Sequence, residues 1–214
     1  MRLTPRLPVS AWPWITAGCA ALAGLMQIWP AFHQLALYER SAILNGEWWR
    51  IGTGNFAHFS GSHLGWNLVV LIPTGLWLES LWPRLARSFL ALSPWVVGLA
   101  LLGFEPRLET YAGLSGVVIG LVTLLGLQLR RHSPQDRWWA NALLLLVLIK
   151  LAAEGVKGGP LFARFTDHAI GVVFIAHLAG VLSALLFWMG ENWTKRGKVE
   201  ASSDEKSNAD HTSG

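Results

Sequence analysis

Apolar segments long enough to cross a lipid bilayer recur along this 214-residue chain. A helix needs about 20 predominantly apolar residues to span the hydrocarbon core, where backbone groups must satisfy their hydrogen bonds internally. Thirteen tryptophans fit such a chain, because indole rings concentrate at the lipid headgroups. The alternating segments of about ten residues that are typical of a transmembrane barrel are not seen. The sequence therefore predicts an all-α, polytopic membrane protein.

Six spans are predicted, with polar connections between them. Residues 1–11 form a short basic N-terminus, residues 12–190 form one membrane domain, and residues 191–214 form a polar tail with the composition of disordered sequence. The first apolar segment is too long and too rich in tryptophan for a cleaved signal peptide. The predicted spans are 12–29, 62–82, 88–104, 115–129, 138–153 and 169–189.

The basic residues predict the orientation, because cytoplasmic loops carry an excess of Lys and Arg. If the N-terminus is cytoplasmic, eleven of the 17 Lys and Arg residues lie on that side and six on the other. Both termini are therefore predicted to be cytoplasmic, with the connection 30–61 and the loop 105–111 outside. The formal net charge of +4 reflects these loops and gives no indication of nucleic acid binding.

Polar residues on three of the predicted spans lie at one depth. Ser115 begins the short segment 115–129, which extends about 22 Å from the basic residues that follow it. By the same measure, Asn67 and His177 lie about 26 and 27 Å from the basic residues that follow their spans. His63 lies one helical turn from Asn67 and on the same face.

Small residues at a spacing of four predict that two of these spans pack closely. Such stripes allow membrane helices to pack almost backbone to backbone. One stripe begins directly after Ser115, and the other brackets His177, so close packing would bring the hydroxyl and the imidazole together. The stripes consist of Gly116 and Gly120 in one span and Ala176, Gly180 and Ala184 in the other.

A serine and a histidine at one depth indicate covalent catalysis. Ser115 becomes a nucleophile when a neighbouring base, His177, takes its proton. The oxyanion of the tetrahedral intermediate needs hydrogen-bond donors, which the Asn67 amide, a His63 ring N–H and the Ser115 backbone N–H are expected to supply. No acidic residue is expected at this depth, because Glu79 lies near the cytoplasmic end of its helix. Glu154 is assigned to a solvated outer loop. The prediction is therefore a Ser–His dyad.

Other polar residues receive structural interpretations. His58 is interpreted as bracing a loop, and Trp48-Trp49-Arg50 as an interfacial anchor. The chain has no HExxH motif and no cluster of carboxylates, so no metal and no cofactor are predicted. A transporter or channel would need polar residues continuing to the cytoplasmic face. Segment 115–129 is instead almost wholly apolar beyond Ser115, which argues against a solute path.

Four short motifs in chain order resemble those of the rhomboid intramembrane serine proteases. They are Trp49-Arg50, His63-Leu64-Gly65-Trp66-Asn67, Gly113-Leu114-Ser115-Gly116 and His177-Leu178-Ala179-Gly180. The resemblance covers residues 12–190 and implies a six-helix rhomboid-like bundle. It implies that Ser115 is the nucleophile and His177 the base. It also implies oxyanion roles for His63 and Asn67.

One position departs from the family pattern. Many rhomboids carry a tyrosine four residues after the nucleophile, and its ring stacks on the catalytic histidine. In this chain that residue is Ile119. The alignment of His177 must therefore come from other contacts.

The resemblance implies an intramembrane serine endopeptidase that cleaves a single-span membrane protein near the outer leaflet. The compact length and the run from Tyr111 to Val117 look most like the rhombosortase subgroup, which implies processing of C-terminal Gly-Gly sorting tails of surface proteins. The alternative is a catalytically inactive rhomboid-like protein that binds transmembrane helices.

The expected partners are a transmembrane substrate and the lipid bilayer, and the oligomeric state is left open. The expected location is a bacterial inner membrane, with the active site open to the periplasm.

Overall fold

The computed structural model describes residues 12–157 and 174–191, and this part of the chain forms nine α-helices and a two-stranded sheet. The predicted N-terminus 1–11 and almost all of the predicted tail 191–214 lie outside the described residues. The helices are α1 (Trp14–Ile28), α2 (Pro30–Ala36), α3 (Arg40–Leu44), α4 (Arg50–Thr53), α5 (Gly61–Leu81), α6 (Pro83–Phe104), α7 (Ser115–His132), α8 (Arg137–Lys157) and α9 (Phe174–Glu191). The strands are β1 (Tyr38–Glu39) and β2 (Thr110–Tyr111).

Four of the described helices are long and apolar enough to cross a membrane, namely α5, α6, α9 and α8 with the short 3-10 turn before it. A fifth candidate is α1 together with α2, which are bent by 115° relative to each other. The helix α7 has 18 residues and ends in Arg130, Arg131 and His132. The described chain is therefore a helical membrane domain with four to five candidate spans. The count of six spans with cytoplasmic termini stays a prediction.

The helix α7 lies at the centre of the fold. Between Gly116 and Leu129 every side chain except that of Leu127 is buried. Its sequence is apolar on all faces, which is the pattern of a helix surrounded by protein. It packs against α5, α6 and α8, and its glycines contact α9. Ser115, at its start, is thus positioned by protein contacts on several sides.

The long connection after α1 is folded, although its sequence predicted only a connection. Arg50, at the start of α4, has a buried side chain whose Nη1 donates to the carbonyl oxygens of Gln34 (2.7 Å) and Leu37 (2.8 Å). Its Nε donates to Glu47 Oε2 at 2.6 Å. Arg50 therefore holds the connection together from within, so its inclusion in the predicted interfacial anchor was wrong, whereas Trp48 beside it is exposed.

Several helices extend beyond their predicted ends, and α6 and α8 do so by the most residues. The helix α6 begins at Pro83, five residues before the predicted start, because proline is well tolerated in the first turn of a helix. The helix α8 continues to Lys157, whereas the predicted span stopped at residue 153. The extra turn includes Glu154, which makes an i, i+4 ion pair with Lys150 inside the helix.

A buried carboxylate attaches α1 to the end of α5. Glu79 is fully buried and accepts hydrogen bonds from the Thr16 backbone N–H at 3.1 Å and from the Thr16 hydroxyl at 2.9 Å. Its other oxygen accepts from Arg87 Nε at 3.0 Å. The first N–H groups of a helix have no intrahelical acceptor, so this carboxylate caps α1 from a neighbouring helix.

Replacing Glu79 with glutamine is expected to destabilise the fold by about 2 kcal/mol, because charge-assisted hydrogen bonds are replaced by weaker neutral ones. The melting temperature of the detergent-solubilised protein should fall by about 4–8 °C. The control is Glu109→Gln, which changes an exposed carboxylate. Equal melting temperatures for the two variants would contradict the capping role of Glu79.

Candidate active site

The loop before Ser115 is fixed by contacts to the first connection. Strand β2 pairs antiparallel with β1, so that Tyr111 lies opposite Tyr38. Burial raises the pKa of Tyr111, which keeps its hydroxyl protonated, and the hydroxyl donates to the Gly113 carbonyl oxygen at 2.8 Å. The Gly113 N–H donates to the carbonyl oxygen of Gly54 at 3.3 Å. These bonds fix the backbone that enters α7.

Position 113 requires a glycine for two reasons. Its φ of +140° lies where residues with a side chain are strained. A Cβ at this position would also lie 2.6 Å from Cε1 of the His63 ring. The first residue of the Gly113-Leu114-Ser115-Gly116 motif therefore both makes the turn and leaves room for His63 beside the nucleophile.

The structure places Ser115 and His177 in hydrogen-bond contact. Ser115 Oγ lies 3.0 Å from His177 Nε2. The hydroxyl-bearing residue is partly exposed, whereas His177 is 1% exposed. A nucleophile that a substrate can reach thus lies against a base that is shielded from solvent.

The small residues of α7 and α9 make this contact possible. A Cβ on Gly116 would lie 2.6 Å from the Ala176 carbonyl oxygen, and a Cβ on Gly120 would overlap the Gly180 carbonyl oxygen. A Cβ on Gly180 would overlap the Gly116 carbonyl oxygen. The two backbones are therefore in direct contact, as the spacing of the small residues predicted.

His63 lies beside the loop that carries the nucleophile. It is in the first turn of α5, where its backbone N–H donates to the capping hydroxyl of Ser60 at 3.2 Å. Its ring stands edge-on to the ring of His58, with 5.0 Å between the centroids. The ring also covers the Cα of Gly113. His63 is therefore placed next to Ser115, and its role as an oxyanion donor stays a prediction.

The amide of Asn67 is held by His58. The Asn67 Nδ2 lies 3.0 Å from His58 Nε2, and the Leu114 N–H lies 3.4 Å from the same nitrogen. The other ring nitrogen of His58 lies 3.0 Å from the Phe56 carbonyl oxygen, which can only accept, so Nδ1 carries the proton and Nε2 accepts. Asn67 keeps a second N–H for another acceptor.

His58 contacts residues of the candidate site, in addition to the loop-bracing role that its sequence position predicted. Burial lowers the pKa of His58 to about 3, so the ring stays neutral and keeps its accepting nitrogen. It orients the amide of one predicted oxyanion donor and the backbone directly before Ser115. The interpretation as a loop-bracing residue agrees with these contacts. Its link to Asn67 could not be read from the sequence, because the two residues lie on different elements.

The assignment of Glu154 to a solvated outer loop was wrong. Glu154 lies in the last turn of α8, is 3% exposed, and its Oε2 lies 2.5 Å from His177 Nδ1. The expectation that no acidic residue reaches the depth of His177 was therefore also wrong. The physical reason is that α8 continues one turn beyond its apolar segment and points this carboxylate inward.

The second carboxylate oxygen of Glu154 also has a partner. Glu154 Oε1 accepts a hydrogen bond from Lys150 Nζ, one turn earlier on α8. Because a carboxylate can only accept, His177 Nδ1 donates to Oε2, and His177 Nε2 presents a lone pair to Ser115 when the ring is neutral. This is the tautomer that can take a proton from the serine hydroxyl.

Ile119 lies one helical turn after Ser115, in apolar surroundings. It forms a buried cluster with Val122 and Val147, which joins α7 to α8. The position that carries an aromatic ring in many rhomboids therefore holds two helices together in this chain. The described residues contain no group of three His, Cys, Asp or Glu side chains arranged to hold a metal ion. The absence of a metal from the chemistry stays a prediction.

Comparison with known families finds a match for this chain. The family model described as Rhomboid domain matches residues 45–190, which is more than half of the chain. The matched region contains Ser115, His177, His63 and Asn67 as well as Glu154. A comparison with curated proteins finds no match.

Proposed function

Because the chain belongs to the rhomboid family, whose members are in general intramembrane serine proteases, we propose that it is an active intramembrane serine endopeptidase. The observation that carries this proposal is the hydrogen-bond contact of 3.0 Å between Ser115 Oγ and His177 Nε2. A serine becomes a nucleophile when a base is positioned to take its proton, and this geometry provides one.

The reaction proceeds in two halves. Ser115 Oγ attacks the carbonyl carbon of the scissile peptide bond, and its proton passes to His177 Nε2. The tetrahedral intermediate collapses as His177 returns that proton to the leaving amine, and an acyl-enzyme remains. Water then attacks the ester carbonyl with His177 as general base, which releases the new carboxylate and restores the hydroxyl.

Three donors are proposed for the oxyanion. Ser115 is the first residue of α7, so its N–H is one of the four that a helix start leaves without an intrahelical acceptor. The Asn67 amide has a second N–H beyond the one directed at His58, and His63 lies beside Gly113. Donors fixed before the substrate arrives stabilise developing charge without reorganising, and this is a large part of catalysis by such sites.

The substrate is proposed to be a single-span membrane protein that enters from the lipid and unwinds near the outer leaflet. Helical backbone shields its own carbonyl groups through hydrogen bonds, so a scissile bond in small, helix-breaking residues is favoured. The resemblance to rhombosortases supports Gly-Gly sorting tails of surface proteins as the substrate class. The excess of basic residues on the N-terminal side supports an active site that opens to the periplasm of a bacterial inner membrane.

Labelling with a fluorophosphonate serine probe tests the proposal in detergent-solubilised protein. Mass spectrometry should find the phosphonyl group on Ser115 in the wild type and no labelling of Ser115→Ala. The control is Ser62→Ala, which removes an exposed serine at the start of α5 and should be labelled at the wild-type rate. A folded wild type that does not react would overturn the protease proposal in favour of an inactive protein that binds transmembrane helices.

The substrate class is tested separately. A reporter that ends in a Gly-Gly motif, a single span and a basic tail is co-expressed with the enzyme, and its processing is followed by the loss of the tail. Processing that needs Ser115 and is lost when Gly-Gly is replaced by Leu-Leu would support the class. Equal processing of both reporters would overturn it and leave the protease proposal intact.

A further inference from the structure

We propose that Glu154 is a positioning residue for His177, so that the site works as a Ser115–His177–Glu154 triad and not as a dyad. The proposal rests on the proposed protease function. Glu154 touches neither the nucleophile nor the position of a substrate, and it acts through the histidine. No proton is transferred to the carboxylate at any step.

The contacts of Glu154 place it on the far side of the imidazole from the serine. Its Oε2 lies 2.5 Å from His177 Nδ1, and Nε2 of the same ring lies 3.0 Å from Ser115 Oγ. The three side chains therefore form one chain of hydrogen bonds that runs from α8 through α9 to α7. In this order the carboxylate selects the tautomer with its proton on Nδ1 and leaves Nε2 able to accept.

The burial of Glu154 and His177 argues against an incidental contact between these two side chains. Glu154 is 3% exposed and His177 is 1% exposed. An ionised carboxylate removed from water is strongly unfavourable unless it is paired and hydrogen-bonded. Glu154 meets that condition with Lys150 on Oε1 and His177 on Oε2. A carboxylate that faced outward would not carry the free-energy cost of burial. The buried position of Glu154 therefore indicates that its charge has a function at His177.

Lys150 and the carboxylate have separate parts in this arrangement. In the resting site Lys150 balances the negative charge, so that the neutral imidazole can lie beside it. When His177 takes the serine proton it becomes a cation, and the adjacent carboxylate stabilises that cation directly. The stabilisation is larger in the transition state than in the ground state, and only such a difference accelerates the chemical step.

The isoleucine at position 119 explains why His177 needs the Glu154 carboxylate as a partner. The ring that stacks on the catalytic histidine in many rhomboids is replaced by Ile119, which packs against Val122 and Val147. A buried imidazole without that ring needs another partner to fix its rotation. Glu154 supplies a directional hydrogen bond in place of an aromatic face.

The test combines a rate with a spectroscopic signature. Glu154→Gln keeps the shape of the side chain and removes its charge, and we expect fluorophosphonate labelling to slow by about 10²- to 10⁴-fold, because an uncharged partner disrupts the orientation of the histidine. In protein with ¹⁵N-labelled histidine, the strong Nδ1–H bond of His177 should give a low-field proton signal. That signal should persist in Ser115→Ala and vanish in Glu154→Gln.

The control for replacing a buried carboxylate is Glu79→Gln, which lies at the other end of α5 from His63. Its melting temperature should fall, but its labelling rate per folded molecule and its low-field signal should stay at wild-type levels. Glu154→Gln should instead lose labelling rate per folded molecule together with the low-field signal. Partial recovery of the labelling rate in Glu154→Asp, which restores the charge at a shorter reach, would further support positioning by the carboxylate.

Each outcome decides the proposal. Wild-type labelling of Glu154→Gln, or a low-field signal that persists in it, would overturn the role of Glu154 while the protease function stands. If Glu154→Gln does not fold, the signal in folded Ser115→Ala decides, and its absence there overturns the triad. That signal requires no catalysis, so it separates this inference from the proposed function. An unreactive wild type, by contrast, overturns the protease function itself.

Discussion

Replacing His177 with alanine is expected to lower the rates of fluorophosphonate labelling and of substrate cleavage by about 10⁴- to 10⁶-fold. The serine hydroxyl is a weak nucleophile at neutral pH, and its proton has no other acceptor of suitable basicity within the contacts described for Ser115. Measurement of both rates in detergent and in lipid vesicles would check this. Loss of the base should reduce the two rates by similar factors, because both reactions begin with attack by Ser115.

The matched control is His132→Ala. His132 is an exposed histidine at the other end of α7, where its ring lies 6.1 Å from that of Trp82. It should be labelled at the wild-type rate. If His177→Ala kept more than a tenth of the wild-type labelling rate while remaining folded, the assignment of the base would be wrong.

Replacing Gly180 with alanine is expected to slow labelling strongly although the catalytic residues are unchanged. The new Cβ would overlap the Gly116 carbonyl oxygen, which is backbone and cannot rotate away. The helices α7 and α9 would have to separate, and Ser115 and His177 lie one on each of them. Because a displacement of about 1 Å can cost about 10² in rate, we expect a loss of at least about that size and a lower melting temperature.

The same helix offers the control for Gly180→Ala. An added Cβ on Gly190 meets no atom within 4 Å, so Gly190→Ala changes the helix without changing its packing. It should retain wild-type labelling and melting temperature. Gly116→Ala, whose Cβ would lie 2.6 Å from the Ala176 carbonyl oxygen, should give a smaller loss than Gly180→Ala. Wild-type behaviour of Gly180→Ala would show that α7 and α9 are not held at backbone contact.

The sequence was sufficient to predict that α7 and α9 pack closely together. The stripe of Gly116 and Gly120 and the stripe centred on Gly180 predicted the contact of α7 with α9, since small residues at this spacing have few other uses in a membrane helix. The depth of Ser115 in the bilayer was inferred from the length of its segment and stays a prediction. Both inferences depend on helical geometry alone, which is fixed before any tertiary contact forms.

The sequence was not sufficient for residues whose surroundings are set by tertiary contacts. Glu154 follows an apolar segment, and hydropathy ends the span before it, although its contacts with Lys150 and His177 keep it helical and buried. His58 looked like an isolated loop residue because its partners, Asn67 and Leu114, are distant in sequence. The pairing of β1 with β2 is two residues long and has no signal of its own.

Burial of α7 from Gly116 to Leu129, with only Leu127 partly exposed, separates the position of the nucleophile from the thickness of the bilayer. A helix that faces lipid adapts to hydrophobic mismatch by tilting, but the contacts that fix Ser115 and His177 are made within the protein. Glu154 is different, because α8 is the least buried of the four single-helix candidate spans. In the proposed triad, we therefore expect the carboxylate to respond more to membrane thickness than the serine does. Lipid composition would then adjust the strength of the base without moving the serine.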